Sequence, residues 1–163
     1  MDLLSPIPDN LTELLAKIIR FTELRRDVLY QNMHNTRTPG FVPQELPVSE
    51  FVRVLNGAIA EHMQNHRLLF CDTEHIKFGP NSRMEVHPQP DAHASMVLER
   101  SRDEYVELQV GKLLENSLNR KIARELLALK CGIPLGMAGL PIAKMGGPDG
   151  PLEDLSSPRE TTD

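Results

Sequence analysis

Four side chains able to bind a transition metal fall close together in the chain: His62, His66, Cys71 and His75. Imidazole nitrogen and thiolate sulfur are ordinary zinc ligands, and a spacing of four sets His62 and His66 on one face of a helix. Cys71 has no second Cys near it, and the spacing fits no zinc-finger pattern. With six His in the chain, such a grouping also arises readily by chance. The reading adopted is no metal and no cofactor, with a zinc-binding helical protein using these four residues as an alternative.

Catalytic chemistry finds less support. The chain lacks a Gly-rich phosphate loop, a Gly-x-Ser-x-Gly elbow and a His-Glu-x-x-His metal motif; Glu61 precedes His62, but the second His is misplaced. Acidic pairs such as Asp103-Glu104 and Glu153-Asp154 suit a helix start or a solvated tail better than a general acid–base pair. The expectation is therefore a protein that is not an enzyme. Eighteen basic and 23 acidic residues are spread without a basic block, which argues against nucleic acid. No run approaches the ~18 apolar residues of a membrane span, and the start lacks the charged and apolar regions of a cleaved signal.

The elements that would position these groups are helical. In 163 residues, 40% are apolar but only 4% aromatic, with no Trp and seven Met. Such a core depends on aliphatic packing within a single domain. A first helix is expected over about 10–34, capped by Asn10 with Glu13 completing a capping box. Leu11, Leu14, Leu15, Ile18, Phe21, Val28 and Leu29 form its apolar stripe, which Arg25 and Asn32 interrupt; Lys17, Arg20, Glu23, Arg26 and Asp27 read as its solvated face. Pro39 and Gly40 force a sharp exit. A shorter middle helix over about 49–66 starts at Ser49 and carries Phe51, Val52, Leu55, Ile59 and Met63, weakened by Gly57.

Residues 67–101 lose helical period and read as an irregular excursion, with short strands conceivable at Leu68–Cys71 or Met84–Val86. The longest helix is expected over about 103–131, where Val106, Val110, Leu114, Leu118, Ile122 and Leu126 recur every fourth residue and Leu113 and Leu129 widen the stripe. Gly132 and Pro134 end it. Six Gly and five Pro among the last 32 residues predict a disordered tail over 132–163. The fold class is thus all-α: one domain over 1–131, its long terminal helices pairing in a coiled-coil-like manner.

The residues leaving the first helix add a sharper clue. Leu29, Asn32, Asn35, Thr38, Pro39, Gly40 and Phe41 keep an order and spacing that resembles the N-terminal signature of the flagellar basal body rod protein family. Met33 replaces an aliphatic residue, while Tyr30, Gln31, His34 and Arg37 put large groups where that family uses small ones. In the last helix Glu115, Asn116 and Leu118, followed by Leu126 and Leu127, resemble the C-terminal helix of the proximal rod subtype. The two matches cover about a third of the chain.

The resemblance implies a structural subunit of the proximal rod, built on an axial core of N- and C-terminal helices and helping to transmit motor torque. It implies self-association into a helical rod, with other rod subunits and the basal-body export and ring components as partners. It implies a periplasmic location in the basal body, reached through the flagellar type III apparatus without a cleaved signal peptide. The residues quoted would serve the family motif and assembly. A small helical adaptor or secretion chaperone, using the same apolar helices on a partner, is the other open alternative.

Overall fold

The computed structural model describes residues 9–80 and 83–133. The first helix, α1, spans Asn10–His34. Its cap is Asp9, one residue before the Asn10 expected: Asp9 Oδ1 accepts from the Thr12 amide at 2.9 Å. A carboxylate does this as well as a carboxamide and also favours the positive helix end. The helix stops where Pro39 and Gly40 demand it. The Thr38 amide donates to Asn35 O at 2.9 Å, Thr38 Oγ1 reaches Asn35 Oδ1 at 3.2 Å, and Gly40 sits at φ 71°, a conformation that costs a side chain but not glycine.

Helix α2, Val48–Asn65, begins directly after Pro47, its N-terminal cap residue, with no side-chain cap, so Ser49 is not the cap expected of it. Proline, which has no amide hydrogen, is well suited to a helix entry. The last helix, α4, spans Arg102–Lys130 and is capped by Ser101. At its end Gly132 (φ 74°) donates to Leu129 O and Ile133 to Ala128 O, the paired bonds of a Schellman close. Beyond Ile133 the expected tail lies outside the described residues.

The segment 67–101 is more regular than expected. Strand β1 (Gln44–Glu45) pairs antiparallel with β4 (Gln89–Pro90), and β2 (Ile76–Phe78) pairs antiparallel with β3 (Met84–Val86). A nine-residue helix, α3 (Ala92–Arg100), is capped by Asp91 and leads into α4 through Ser101. The strand conceived at Met84–Val86 is present; Leu68–Cys71 is not strand, and its place is taken by Ile76–Phe78. Strands of two or three residues carry almost no periodicity of their own. Long-range pairing creates them. The architecture remains mostly helical, with a few short strands.

One apolar core lies between α1, α2 and the β2–β3 hairpin. Phe21 and Phe51 stack at 4.0 Å between ring centroids, backed by buried Leu46, Ile76 and Met84. Lys17 belongs to this side, not to the solvated face it was assigned: it is only 2% exposed. Its Nζ donates to Arg83 O at 3.3 Å and stands 5.5 Å from the Phe78 ring centre and 5.7 Å from that of Phe70. Burial pulls its pKa down, opposed by the charge of Glu13, and the aromatic faces offset part of the lost hydration. Helix α3 and the start of α4 share a smaller cluster of Ala94, Val97 and Tyr105.

Candidate functional site

The two long helices run antiparallel side by side, as contacts along their length show. Tyr105 pairs with Asn32 and Asn116 with Thr22, Arg120 with Glu23, and Lys130 with Asp9. Their seam is not the zipper of two apolar stripes that periodicity predicted. Asn32, which seemed to interrupt the first stripe, is buried at its centre. Its Nδ2 donates to Gln44 O at 2.7 Å and to Gln109 Oε1 at 3.1 Å, while its Oδ1 accepts from the Gln44 amide at 2.9 Å. The Tyr105 hydroxyl donates to Asn32 O at 3.2 Å. Further along, Asn116 Nδ2 donates to Thr22 O at 2.7 Å. Leu15, Phe21 and Leu29 of α1 and Tyr105, Ala123 and Ala128 of α4 are the buried apolar residues of the two helices. Among the described residues Gln109 Nε2 is buried without a hydrogen-bond partner, but the bonds made by Asn32 and Asn116 fix a register that interchangeable leucines would leave loose.

Arg25, the other interruption, explains how β1 and β4 are held. Its guanidinium grips Glu45 with two bonds, Nε to Oε1 at 3.0 Å and Nη2 to Oε2 at 3.2 Å. Lys112 of α4 meets the same carboxylate at 2.9 Å and also pairs with Asp91. Asp91 meanwhile accepts from the Ala94 amide at 2.9 Å. Two cations and two anions thus tie α1, β1, the start of α3 and α4 into one knot. Burial alone would raise Glu45, but hydrogen bonds and charge from Arg25 and Lys112 outweigh it and hold the carboxyl below its ordinary range. Asp91 follows the same pattern, its burial outweighed by the Ala94 amide and Lys112. Lys112 is shifted up: burial pushes it down, and Asp91 and Glu45 more than reverse this. Tyr105 is pushed up to about 12 by burial and the nearby charge of Asp91.

Because polar groups fill the seam, the leucine row of α4 points elsewhere. Val110, Leu114, Leu118, Ile122, Leu126 and Leu129 are all between 40% and 68% exposed. Ile122 and Leu126 form one wall of a cleft of about 330 Å³, with Val52 and Leu55 of α2 opposite and Leu15 and Ile18 of α1 as floor. Val110, Leu114 and Leu118 continue the row beyond that wall; Leu114 and Leu118 are 68% and 59% exposed. No helix among the described residues is long and apolar enough to cross a membrane.

The motif residues divide between these environments. Leu29, Asn32 and Asn116 are buried structural groups. Asn35 and Phe41 are half-buried at the exit turn, where Thr38, Pro39 and Gly40 are exposed. Glu115 is 61% exposed and 3.9 Å from Arg25. Leu118 and Leu126 lie on the exposed row, and Leu127 is half-buried.

The four candidate zinc ligands do not converge. His62 and His66 sit 6.2 Å apart edge to face, and His62 Nδ1 is 2.9 Å from Asn10 Nδ2. His75 Nδ1 is instead engaged by Glu50 at 2.7 Å, and Cys71 is exposed. Among the described residues no three His, Cys, Asp or Glu side chains are grouped to hold a metal. Glu45, Asp91, Lys112, Gln109 and Tyr105 were missed from the sequence. The only hint was that polar Arg25 and Asn32 occurred where apolar residues belonged.

Comparisons with protein-family models, curated proteins and solved structures give no match for this chain.

Proposed function

We propose that this protein is a self-assembling structural subunit, a proximal rod component of the bacterial flagellar basal body, and that it has no catalytic role. The observation that carries the reading is the row Val110, Leu114, Leu118, Ile122, Leu126 and Leu129, six aliphatic side chains left 40–68% exposed on the last helix, Ile122 and Leu126 among them lining the cleft. Its six side chains expose about three whole aliphatic side chains. At roughly 1.5–3 kcal/mol for each fully buried one, covering them is worth about 5–9 kcal/mol. Such a surface is what marks an interaction site on a protein. The residues resembling the rod family occur on the same helix pair and at the turn that ends α1.

In this reading the subunits associate with copies of themselves, with other rod subunits, and with the export and ring components at the base. They are exported through the flagellar type III apparatus and reside in the periplasmic rod, where a rigid helix pair helps carry torque. The polar seam and the charge knot suit that task, because they fix the two helices in one register. A small adaptor or secretion chaperone is the second reading, favoured by the cleft between α2 and α4, which also suits a partner's amphipathic helix.

Electron cryotomography of cells lacking the protein, with a complemented strain beside them, tests the proposal. A motor ring and export apparatus without a rod, restored by complementation, is the expected result. Intact rods and normal motility, with no second copy of the gene, would overturn it.

A further inference from the structure

The cleft between α2 and α4 changes character along its length. At one end α4 lines it with Glu115, Asn116 and Asn119, at the other with Ile122 and Leu126. The apolar end continues past the cleft itself. Leu129 follows Ile122 and Leu126 on one face of α4, Ile59 and Met63 follow Val52 and Leu55 on one face of α2, and Leu11 precedes Leu15 and Ile18 of the α1 floor at helical spacing. Leu11, Ile59, Met63 and Leu129 are all between 40% and 76% exposed. The three helix ends meet here, since Asn10 Nδ2 is 2.9 Å from His62 Nδ1 and Lys130 pairs with Asp9. Together they leave an apolar trough at the end of the molecule where α4 finishes.

The chain leaves α4 at this same end. Gly132, in the left-handed conformation at φ 74°, takes it off the helix axis to Ile133, itself 39% exposed. The next twelve residues, 134–145, carry a single charge, Lys144, and include Leu135, Met137, Leu140, Ile142 and Met145. The eighteen residues after them carry six charges. An apolar stretch thus begins beside an apolar trough and gives way to polar chain once it is past. We propose that residues 134–145 of this same chain occupy the trough, covering the aliphatic end of the cleft and not its polar end. Reach is ample. From Ile133 back to Ile122 is about 16 Å along α4 at 1.5 Å per residue, and twelve residues extend to about 40 Å.

The contact is intramolecular, which sets what it needs. Two separate proteins bury roughly 1,200–2,000 Å² to form a stable pair. A segment tethered at the edge of its site is present there at a local concentration on the order of millimolar, so a smaller apolar contact suffices. This inference stands apart from the rod reading. Val110, Leu114 and Leu118 lie farther back on α4, outside the cleft lining, and stay uncovered for a neighbour.

Thiol labelling of the full chain tests this, in a Cys71→Ser/Cys131→Ser background because both native thiols are exposed. Leu126→Cys puts a probe in the trough, and Leu114→Cys puts one about three turns away on the same helix. Each is made with the native tail and with Leu135→Asp/Leu140→Asp/Ile142→Asp. The expected result is that Leu126→Cys labels at least about tenfold more slowly with the native tail than with the triple change, at every protein concentration, while Leu114→Cys labels alike in both. Leu152→Asp/Leu155→Asp, in the charged stretch, should leave the protection intact. The native tail alone gives a second reading: Leu126→Cys should label about tenfold more slowly than Leu114→Cys, although the two positions are 49% and 68% exposed. Equal labelling of the two probes, or of Leu126→Cys with either tail, would overturn the proposal and leave the trough to a different partner. Protection that appears only as the protein is concentrated would overturn it in favour of a second copy.

Discussion

Replacing Leu114 and Leu118 together by Gln separates assembly from folding. The two side chains are 68% and 59% exposed, so the folded monomer loses little by the change. Surface substitutions of this kind shift stability by about 0.5 kcal/mol or less each, and leucine and glutamine have similar helix propensity. Covering the exposed parts in an assembly is a different matter. Together they amount to about 1.3 side chains, worth about 2–4 kcal/mol for each contact at roughly 1.5–3 kcal/mol per side chain. That is about a 30- to 800-fold weakening of self-association. Sedimentation velocity over a concentration series measures the association, and urea unfolding at a concentration below it measures the monomer. The reasoning is refuted if the double variant unfolds more than about 2 kcal/mol more easily while its association is unchanged, because the row would then be packing inside the subunit.

Three further outcomes follow from the seam, the turn and the charge knot. Asn32→Ala strands the amide and carbonyl of Gln44 and one partner of Gln109, and should cost about 2–4 kcal/mol in urea unfolding; a loss below about 1 kcal/mol means that water replaces the side chain. Gly40→Ala should cost about 1–2 kcal/mol, all of it backbone strain, since φ is 71° and an added Cβ meets nothing within 4 Å; an unchanged melting temperature would show that the turn relaxes. Stability should also depend on pH in two windows. Glu45 and Asp91 are depressed from 4.5 and 3.8, so their contribution is full above those values and drains as pH falls through the lower folded ones. Lys112 is raised from 10.5 and Tyr105 from 10.0 to about 12; their contribution is full below the unfolded values and is lost as pH rises through the folded ones. Urea midpoints across pH should therefore fall at both ends, and Glu45→Gln should flatten the acid limb; an unaltered acid limb would remove the knot from the account.

Local chemistry was legible without the fold. The exit of α1 at Thr38, Pro39 and Gly40, the end of α4 at Gly132 and the existence of three long or middle helices all follow from φ preferences, missing amide hydrogens and apolar spacing, which act within a few residues. Periodicity also identified the row from Val110 to Leu126 as one helix face. What it could not give was the direction of that face. An amphipathic pattern says that a stripe seeks cover, and the other long helix or a neighbouring subunit would supply it equally well. The tertiary structure turned the row outward and filled the seam with Asn32, Gln109, Asn116 and Tyr105, because each of those groups finds its partner far away in the chain. Lys17, expected on the solvated face, is buried for the same reason: a charged residue is solvated or buried according to what faces it, and Phe70 and Phe78 come from another segment, as does the Glu45 that engages Arg25. The short strands and α3 were invisible on similar grounds, since pairing across 45 residues, as between Gln44 and Pro90, leaves no local trace. Sequence alone thus determined where this chain is helical and where it turns; only the packed structure decided which face is core, which is seam, and which is left for a neighbour.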